Sequence, residues 1–383
     1  MPTWPRSLVW LALLLVGAAS PIKASATDLG GGSTDDPKQA KHWTLGIEAI
    51  ALTRSNSSVN QPLVSQMAGT ERFGTTENGP ATEVFNSNQF NQGFAVGPKV
   101  SLNYKYDSGY GLELLYFNVL NLNASKTVGP ENPANWYIMK APGFWQTQDF
   151  PYQGMTWGST TNLYNAEANA KSKVTKGVSL LAGFRWIQLN DSLTGSLTPA
   201  DKNVPAWKLD PNSHTLPPCG LDPTLVHIGN CSGASGAQVS GYPPFWNTST
   251  TNNLFGLQAG AEGTLLELGQ FSLSGILKAG VYNNRATQSD WVSLEKNLYS
   301  SSATRNRASF VGDGSLQLKY GIFNGLTVKV GYEILWLDKV ALAPGQIPQV
   351  YSGSNPSKVT ASNVNTGSNI LFQGGSVGME YSF

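Results

Sequence analysis

Two cysteines, Cys219 and Cys231, are the residues whose type and spacing first suggest chemistry in this chain. In an oxidising compartment such as the periplasm they would join in a disulfide. Closing a loop of this size stabilises a fold by about 3 kcal/mol in the chain-entropy model. His214 and His227 accompany them, so the alternative is a zinc site with two cysteine and two histidine ligands. Their order and spacing fit no established zinc pattern, and the sequence therefore predicts a disulfide, no metal and no cofactor.

Hydrolytic catalysis would need a general base beside a nucleophile. The chain has three histidines, of which two accompany the cysteines and the third, His42, precedes the first predicted strand. None stands beside an alternating serine at a lipid-facing strand edge, as a membrane lipase would require. The sequence therefore predicts that the chain is not an enzyme, and an ester hydrolysis lost on His42→Ala would contradict this.

Charged side chains form the third set of candidate residues, because they recur at alternate positions opposite apolar rows. Charged residues make up only 13% of the chain, where about a quarter is usual. Acids and bases are nearly balanced on these rows, so a lumen that they lined would have weak charge selectivity. Alternatively they form a network of ion pairs that fills a narrow barrel. The predicted lumen-lining residues are Glu48, Lys99, Lys105, Glu113, Glu167, Lys171, Arg185, Glu262, Lys278, Asp313, Lys319, Lys329 and Glu333. Two further charged residues, Arg54 and Glu380, lie on the same rows.

The elements that must position these charges are segments in which apolar and polar residues alternate, which is the pattern of a strand with two unlike faces. Between Phe94 and Tyr106 the two rows alternate without a break, and a tight turn at 107–109 leads into a second such strand. In a membrane barrel the apolar row faces lipid and the polar row faces the lumen. Wide aromatic rows opposite polar ones favour lipid outside over a soluble barrel. A lysine or arginine on the lipid-facing row would cost about 2–4 kcal/mol at mid-membrane.

Connections between the segments alternate between short and long, as in outer-membrane barrels with short periplasmic turns and long extracellular loops. The sequence predicts an all-β, transmembrane, antiparallel up-and-down barrel of about ten strands, or twelve if 70–92 or 130–160 contains another hairpin. The predicted short turns are near 107–109, 172–177, 267–270 and 321–325, and the long loops are roughly 55–92, 124–159, 191–252, 285–303 and 341–369.

The two chain ends predict export and assembly. Residues 1–26 have the apolar core and small-residue cleavage site of a signal peptide, 27–41 form a flexible leader, and 42–383 form the barrel. The localisation expected from this is the bacterial outer membrane, with its lipid as a partner. A near-neutral net charge gives no footprint for nucleic acid. At the other end Val377, Met379, Tyr381 and Phe383 resemble the signal that the barrel assembly machinery reads on a C-terminal strand.

Three stretches resemble one family, the outer-membrane beta-barrel porin seven group. Residues 183–193 are similar to its G-F/Y-R-Y-L-x-L-x-E-x-L stretch, and 253–260 resemble its N-x-F-x-G-x-Q-x-G strand. The nearest match is 330–337 followed by Ala343-Pro344-Gly345-Gln346-Ile347, similar to V-G-Y-x-x-L-W and A-P-x-Q-I. The resemblance implies an outer-membrane, porin-like barrel and supplies neither a substrate nor a binding residue.

The function expected from these features is a passive channel for small hydrophilic solutes. The alternative is a closed structural barrel that interacts with the surroundings through its long, aromatic-rich outer loops. Barrels of eight strands are filled by side chains, whereas those of sixteen hold a water-filled channel. Ten strands lie nearer the filled end, so strand number alone leaves both functions open.

Overall fold

The computed structural model describes residues 42–67, 81–129, 137–140, 151–175, 177–199, 245–294, 297–323, 325–347, 349–350, 359–360 and 363–383. The predicted signal peptide, the leader and the loop with Cys219 and Cys231 lie outside these residues. Two short 3₁₀ turns, Ser87–Gln89 and Ala343–Gln346, accompany the strands. The described part of the chain contains no helix that is long and apolar enough to cross a membrane.

Strands dominate the described residues. In chain order they are β1 (Trp43–Arg54), β2 (Pro62–Met67), β3 (Ala81–Asn86), β4 (Ala95–Lys105), β5 (Tyr110–Val128), β6 (Tyr137–Lys140), β7 (Pro151–Lys173), β8 (Val178–Pro199), β9 (Phe245–Leu268), β10 (Phe271–Leu294), β11 (Asn297–Phe323), β12 (Leu326–Val340), β13 (Gln349–Val350), β14 (Val359–Thr360) and β15 (Ser368–Ser382).

Ten of these strands close into an antiparallel barrel in the order β1-β4-β5-β7-β8-β9-β10-β11-β12-β15, each paired with its neighbours along this series. The barrel closes because β15 pairs with β1, in a register that places Met379 opposite Ile47. The predicted ten-strand, up-and-down barrel is therefore confirmed. A further hairpin, β2–β3, does lie near the range suspected of hiding one, but it pairs with β6 and stays outside the ring.

Short turns join the barrel strands at the end where β1 begins and β15 ends. Three of these turns contain a glycine with positive φ, namely Gly109 at +86°, Gly269 at +59° and Gly325 at +95°. Glycine adopts this region without the steric penalty that a Cβ atom brings, which allows the chain to reverse within a few residues. The predicted turns near 107–109, 267–270 and 321–325 are thus where the structure places them.

The outward face of the barrel near the short turns is an apolar band. Its side chains would be costly to expose to water over such a continuous area, and they suit contact with hydrocarbon. This is the orientation that the alternation predicted, with the charged rows inside. Exposed members of the band include Ile47, Val100, Leu112, Leu114, Leu180, Phe184, Leu257, Leu277, Val281, Leu316, Val330, Tyr332, Val377 and Met379.

Several strands continue well beyond this band. A tilted strand needs about 9–11 residues to cross a bilayer, whereas β10 has 24 residues and β11 has 27. The long loop predicted at 285–303 was wrong, because β10 and β11 stay paired from Arg285 to Leu294. The loop predicted at 191–252 is likewise shorter, because β8 and β9 extend into it from both sides.

Beyond the apolar band the two faces of each strand exchange character. On β8 the outward row changes from Phe184 to Gln188. At the same level the inward row changes from the charged Arg185 to the fully buried Ile187 and Leu189. This pattern is expected where the medium outside the barrel changes from hydrocarbon to water, because the apolar side chains then find shelter only inside.

The face exchange predicts that position along a strand decides the cost of a new charge. On β9 we expect Leu257→Lys, in the apolar band, to lower the free energy of unfolding by about 2–4 kcal/mol because the ammonium enters hydrocarbon. Thr251→Lys, six positions nearer the extracellular end on the same outward row, should change it by about 1 kcal/mol or less. Urea unfolding of the refolded barrel in phospholipid vesicles measures both, and equal losses would contradict the placement of the membrane.

Candidate functional site

The half of the lumen nearest the short turns contains a water-accessible cavity of about 300 Å³, here called the chamber. Its walls carry most of the predicted lumen-lining charges together with serine, asparagine and glutamine side chains. Leu115, Phe117 and Ile276 add an apolar portion. The charged lining residues are Glu48, Lys99, Glu113, Glu167, Lys171, Glu262, Lys278, Asp313, Lys319, Lys329, Glu333 and Glu380.

Two predicted lining residues, and a third charged residue from the same rows, are placed elsewhere. Lys105 lies at the exposed end of β4. Arg185 is on the inward row of β8 but is fully buried, and it pairs with Asp313 at 2.9 Å and with Glu167 at 3.4 Å instead of lining the chamber. Arg54, which shared the predicted rows, lies at the opposite end of β1 from the chamber and pairs with a different acid.

Ion pairs connect the chamber charges into small networks. Lys171 bridges Glu113 and Glu262, at 2.7 Å from each. Lys329 bridges Glu48 at 2.8 Å and Glu380 at 2.9 Å. Each of these ammonium groups is therefore shared between two carboxylates, which reduces the cost of holding the charges in a confined space.

Glu167 is the most heavily bonded of the carboxylates. It accepts hydrogen bonds from Lys278 at 2.9 Å and from Gln258 at 2.7 Å, and Asn165 and Asn169 each donate at 3.1 Å. A buried charge is tolerated only with such a set of partners. Glu167 lines the cavity and also contacts the buried Arg185. The charged residues therefore both line the lumen and, deeper inside, fill it with a network of ion pairs.

A layer of buried apolar side chains closes the lumen on the extracellular side of the chamber. Each member is 0–9% exposed, so water has little access to these side chains in the described part of the barrel. This apolar layer consists of Ile50, Leu52, Ala95, Phe117, Val119, Leu122, Leu163, Ile187, Leu189, Leu254, Tyr282, Val311, Leu335, Leu337, Val340, Leu342, Ile370 and Phe372.

One of those residues, Leu342, comes not from the wall but from an inward-folded stretch after β12, here called the plug segment (Ala341–Ile347). β12 bends at Lys339, whose φ is +56° and whose carbonyl accepts a hydrogen bond from Ser309 at 2.9 Å. The strand ends at Val340, which still pairs with Ser368 of β15. The segment then crosses the lumen to β8 and β9. It includes the Ala343–Gln346 turn, and nearly all of it is buried.

Polar side chains on the far wall hold the plug segment by its backbone. Asn252 donates to the carbonyl of Ala341 and accepts from its amide, both at 2.7 Å. Asp191 accepts from the amide of Ala343 at 2.9 Å. The other oxygen of Asp191 pairs with Arg54 at 2.5 Å and accepts from Thr161 at 2.7 Å. These bonds satisfy backbone groups that would otherwise be buried without partners.

Sequence reasoning did not predict the apolar layer or the plug segment. The available signal was the point on each strand at which the inward row becomes aliphatic, as where Glu333 is followed by Leu335 and Leu337 on β12. The motif Ala343-Pro344-Gly345-Gln346-Ile347 was noticed as a likeness, without any indication that it enters the lumen. The side chain of Gln346 in this motif donates to the carbonyl of Asn365 at 2.6 Å and accepts from its amide at 2.8 Å.

The remaining predicted residues take simple positions. His42 lies at the rim near the short turns, where its Nδ1 is 3.0 Å from the carbonyl of Lys105 and 3.8 Å from the carboxylate of Asp107. No cluster of potential metal ligands occurs among the described residues. The proposed assembly residues Val377, Met379, Tyr381 and Phe383 are all exposed at the outer face, and their recognition by the assembly machinery stays a prediction.

Solved structures of outer-membrane β-barrels match the chain. They include the outer membrane protease OmpT from Escherichia coli, at 9% identity and a TM-score of 0.45 over 89% of this chain and 97% of that one. The translocator domain of the autotransporter NalP from Neisseria meningitidis matches at 9% identity and a TM-score of 0.36, over 88% and 89%. The toluene transporter TodX from Pseudomonas putida matches at 11% identity and a TM-score of 0.29, over 90% and 89%.

The architecture is that of an outer-membrane β-barrel. No protein-family model and no curated protein matches the chain, so membership of the beta-barrel porin seven group stays a prediction. At these identities and TM-scores no residue role is carried over from any neighbour. Because one neighbour is a protease and another a transporter, the absence of enzymatic activity also stays a prediction.

The bonding of Glu167 predicts that its charge stabilises the barrel. We expect Glu167→Gln to lower the free energy of unfolding by about 3–5 kcal/mol, because the two buried cations Lys278 and Arg185 then share the single carboxylate of Asp313. Glu262→Gln is the matched control, since Glu262 is partly exposed and Lys171 keeps Glu113; it should cost about 1 kcal/mol or less. Urea titrations in vesicles provide the measurement, and a small effect of Glu167→Gln would show that the network contributes little.

Asp290 lies in the extracellular extension of the barrel, nine positions beyond Val281 of the apolar band on β10. We expect it to make the stability of the barrel depend on pH. Burial raises the pKa of this carboxyl to about 6, although a hydrogen bond from Ser301 at 3.1 Å opposes the shift. A raised pKa means that the folded state holds the proton more tightly, so this contribution to stability is complete below about pH 4 and is lost as the pH rises through 6. Asp290→Asn should remove that loss in unfolding titrations between pH 4 and 8, and an unchanged pH profile would refute it.

Proposed function

We propose that this chain is a channel of the bacterial outer membrane for small hydrophilic solutes, and that the plug segment closes it in the conformation described here. The observation that carries the proposal is the division of the lumen. A charged, water-accessible chamber lies on one side of the apolar layer, and the segment that completes the layer is attached by hydrogen bonds rather than built into the wall.

The way the plug segment is attached supports the proposal that it can leave the lumen and does not fill it permanently. A filler made only of wall side chains could not leave without opening the sheet. The plug segment continues from the end of β12 at Val340, and polar contacts from Asp191 and Asn252 hold it. A neutral hydrogen bond contributes about 0.5–1.5 kcal/mol net and one to a charged group such as Asp191 about 1.5–3 kcal/mol, so a few contacts set the balance between the closed and open conformations.

The second candidate function is a closed barrel that acts in surface interaction through its extracellular parts. The specific observation in its favour is that most of the apolar layer comes from wall side chains such as Leu189, Leu254 and Phe372. These side chains would remain in the lumen after the plug segment had left. If they meet across the lumen, solutes still cannot pass.

Planar bilayer recordings distinguish the two functions. We expect the wild-type barrel to conduct rarely, and a variant lacking residues 341–347 to give stable conductance steps because the layer loses its mobile part. Asn252→Ala should raise the frequency of openings, since both of its bonds to Ala341 are lost. Asn190→Ala, on the outward row of neighbouring β8, is the matched control and should behave as wild type.

Folding of each variant is checked by its altered mobility in unheated detergent gels. A folded variant that lacks residues 341–347 and remains silent over many insertions would exclude the channel and leave the closed barrel. Frequent wild-type conductance equal to that of the variant would instead exclude the plug segment as the closing element.

A further inference from the structure

The chamber contains more negative than positive side chains, although the rows of the sequence are balanced. Its lining has seven carboxylates, and the positive groups are the five ammonium groups of Lys99, Lys171, Lys278, Lys319 and Lys329. The balance changes because Arg54 and Lys105 lie outside the chamber, while Arg185 is fully buried and does not line it. Even when Arg185 is counted, an excess of negative charge faces the cavity.

The positive groups are already committed to the carboxylates. Lys278 lies between Glu167 at 2.9 Å and Asp313 at 3.6 Å, just as Lys171 and Lys329 each lie between two acids. An anion that entered would therefore have to compete with carboxylates for every ammonium group. A cation that entered would instead meet carboxylates whose negative charge is only partly balanced, because two of them share each lysine.

One carboxylate oxygen in the lining is left over. Glu48 is nearly fully buried, and its Oε1 lies 2.8 Å from Lys329 and 3.8 Å from Lys99. Among the residues that the structure describes, none forms a hydrogen bond with its Oε2. A buried carboxylate oxygen without a donor favours the approach of a donor or a cation, because its hydrogen-bonding capacity is not satisfied there.

We propose that the chamber is a site for small cations and that it favours cationic over anionic solutes. Side chains at its open end such as Glu262 and Lys319, which are the more exposed members of their ion pairs, allow ions to enter from the side of the short turns. The cation preference is a property of the chamber in the closed barrel. Only its consequence, selection of cationic solutes during transport, rests on the proposed channel.

Charged thiol reagents measure this preference without any need for conductance. Ser315→Cys places a thiol in the chamber lining, and Ser108→Cys places one on an exposed short turn as the reference. Each is reacted with cationic trimethylammonioethyl methanethiosulfonate and with anionic sulfonatoethyl methanethiosulfonate, and the unsubstituted protein provides the blank for Cys219 and Cys231. We expect the ratio of cationic to anionic rates to be about fivefold higher in the chamber than on the turn.

The charge-balanced control is Ser315→Cys combined with Glu262→Gln and Glu333→Gln, which leaves as many carboxylates as ammonium groups in the lining. In that variant the ratio of cationic to anionic rates should equal the ratio measured at Ser108→Cys on the turn. Equal ratios at the two positions, an anionic preference, or failure of both reagents to modify the S315C variant would each overturn the proposal. A silent bilayer recording would contradict the channel but not the cation site, so the two failures are distinguishable.

Discussion

The change of medium along the outside of the barrel is the constraint on which the other features depend. Near the short turns the outer face meets hydrocarbon, so apolar side chains lie outside and charges lie inside. Further along each strand the outer face meets water, and the apolar side chains move to the interior. The charged chamber and the apolar layer are therefore two consequences of one boundary. Charged side chains fill the lumen where hydrocarbon lies outside, and apolar side chains fill it where water lies outside.

The interior of the extension must then satisfy the polar groups that accompany its apolar side chains. The backbone of the plug segment enters a dry region, where an amide or carbonyl without a partner is costly. Asn252 and Asp191 supply those partners, and Arg54 with Thr161 in turn compensates the charge of Asp191. The same groups that make the inserted conformation possible are the ones whose loss would favour release, so stability and closure depend on a single set of bonds.

Much of this fold was predictable from two-residue periodicity. The ten strands, their closure and the outward row at Leu114 and Val330 follow from alternation together with turn position. The extensions were missed because serine, threonine and asparagine dominate them, as at 247–253, and such composition is typical of loops. The lumen charges were predicted by row, whereas their balance in the chamber was not, because height along the axis separates Arg54 from Glu48 on the same strand. The plug segment depends on long-range contacts that no local pattern contains.

The boundary at which the strand faces exchange also fixes how deeply the barrel sits in its membrane. On β8 it falls between Phe184 and Gln188, so a thicker hydrocarbon layer would have to cover amide side chains, and a thinner one would leave an aromatic ring in water. Mismatch of this kind is relieved by deforming the lipid around the protein. Because the barrel wall is hydrogen-bonded on all sides and cannot tilt strand by strand, the surrounding bilayer adapts its thickness to this protein rather than the reverse.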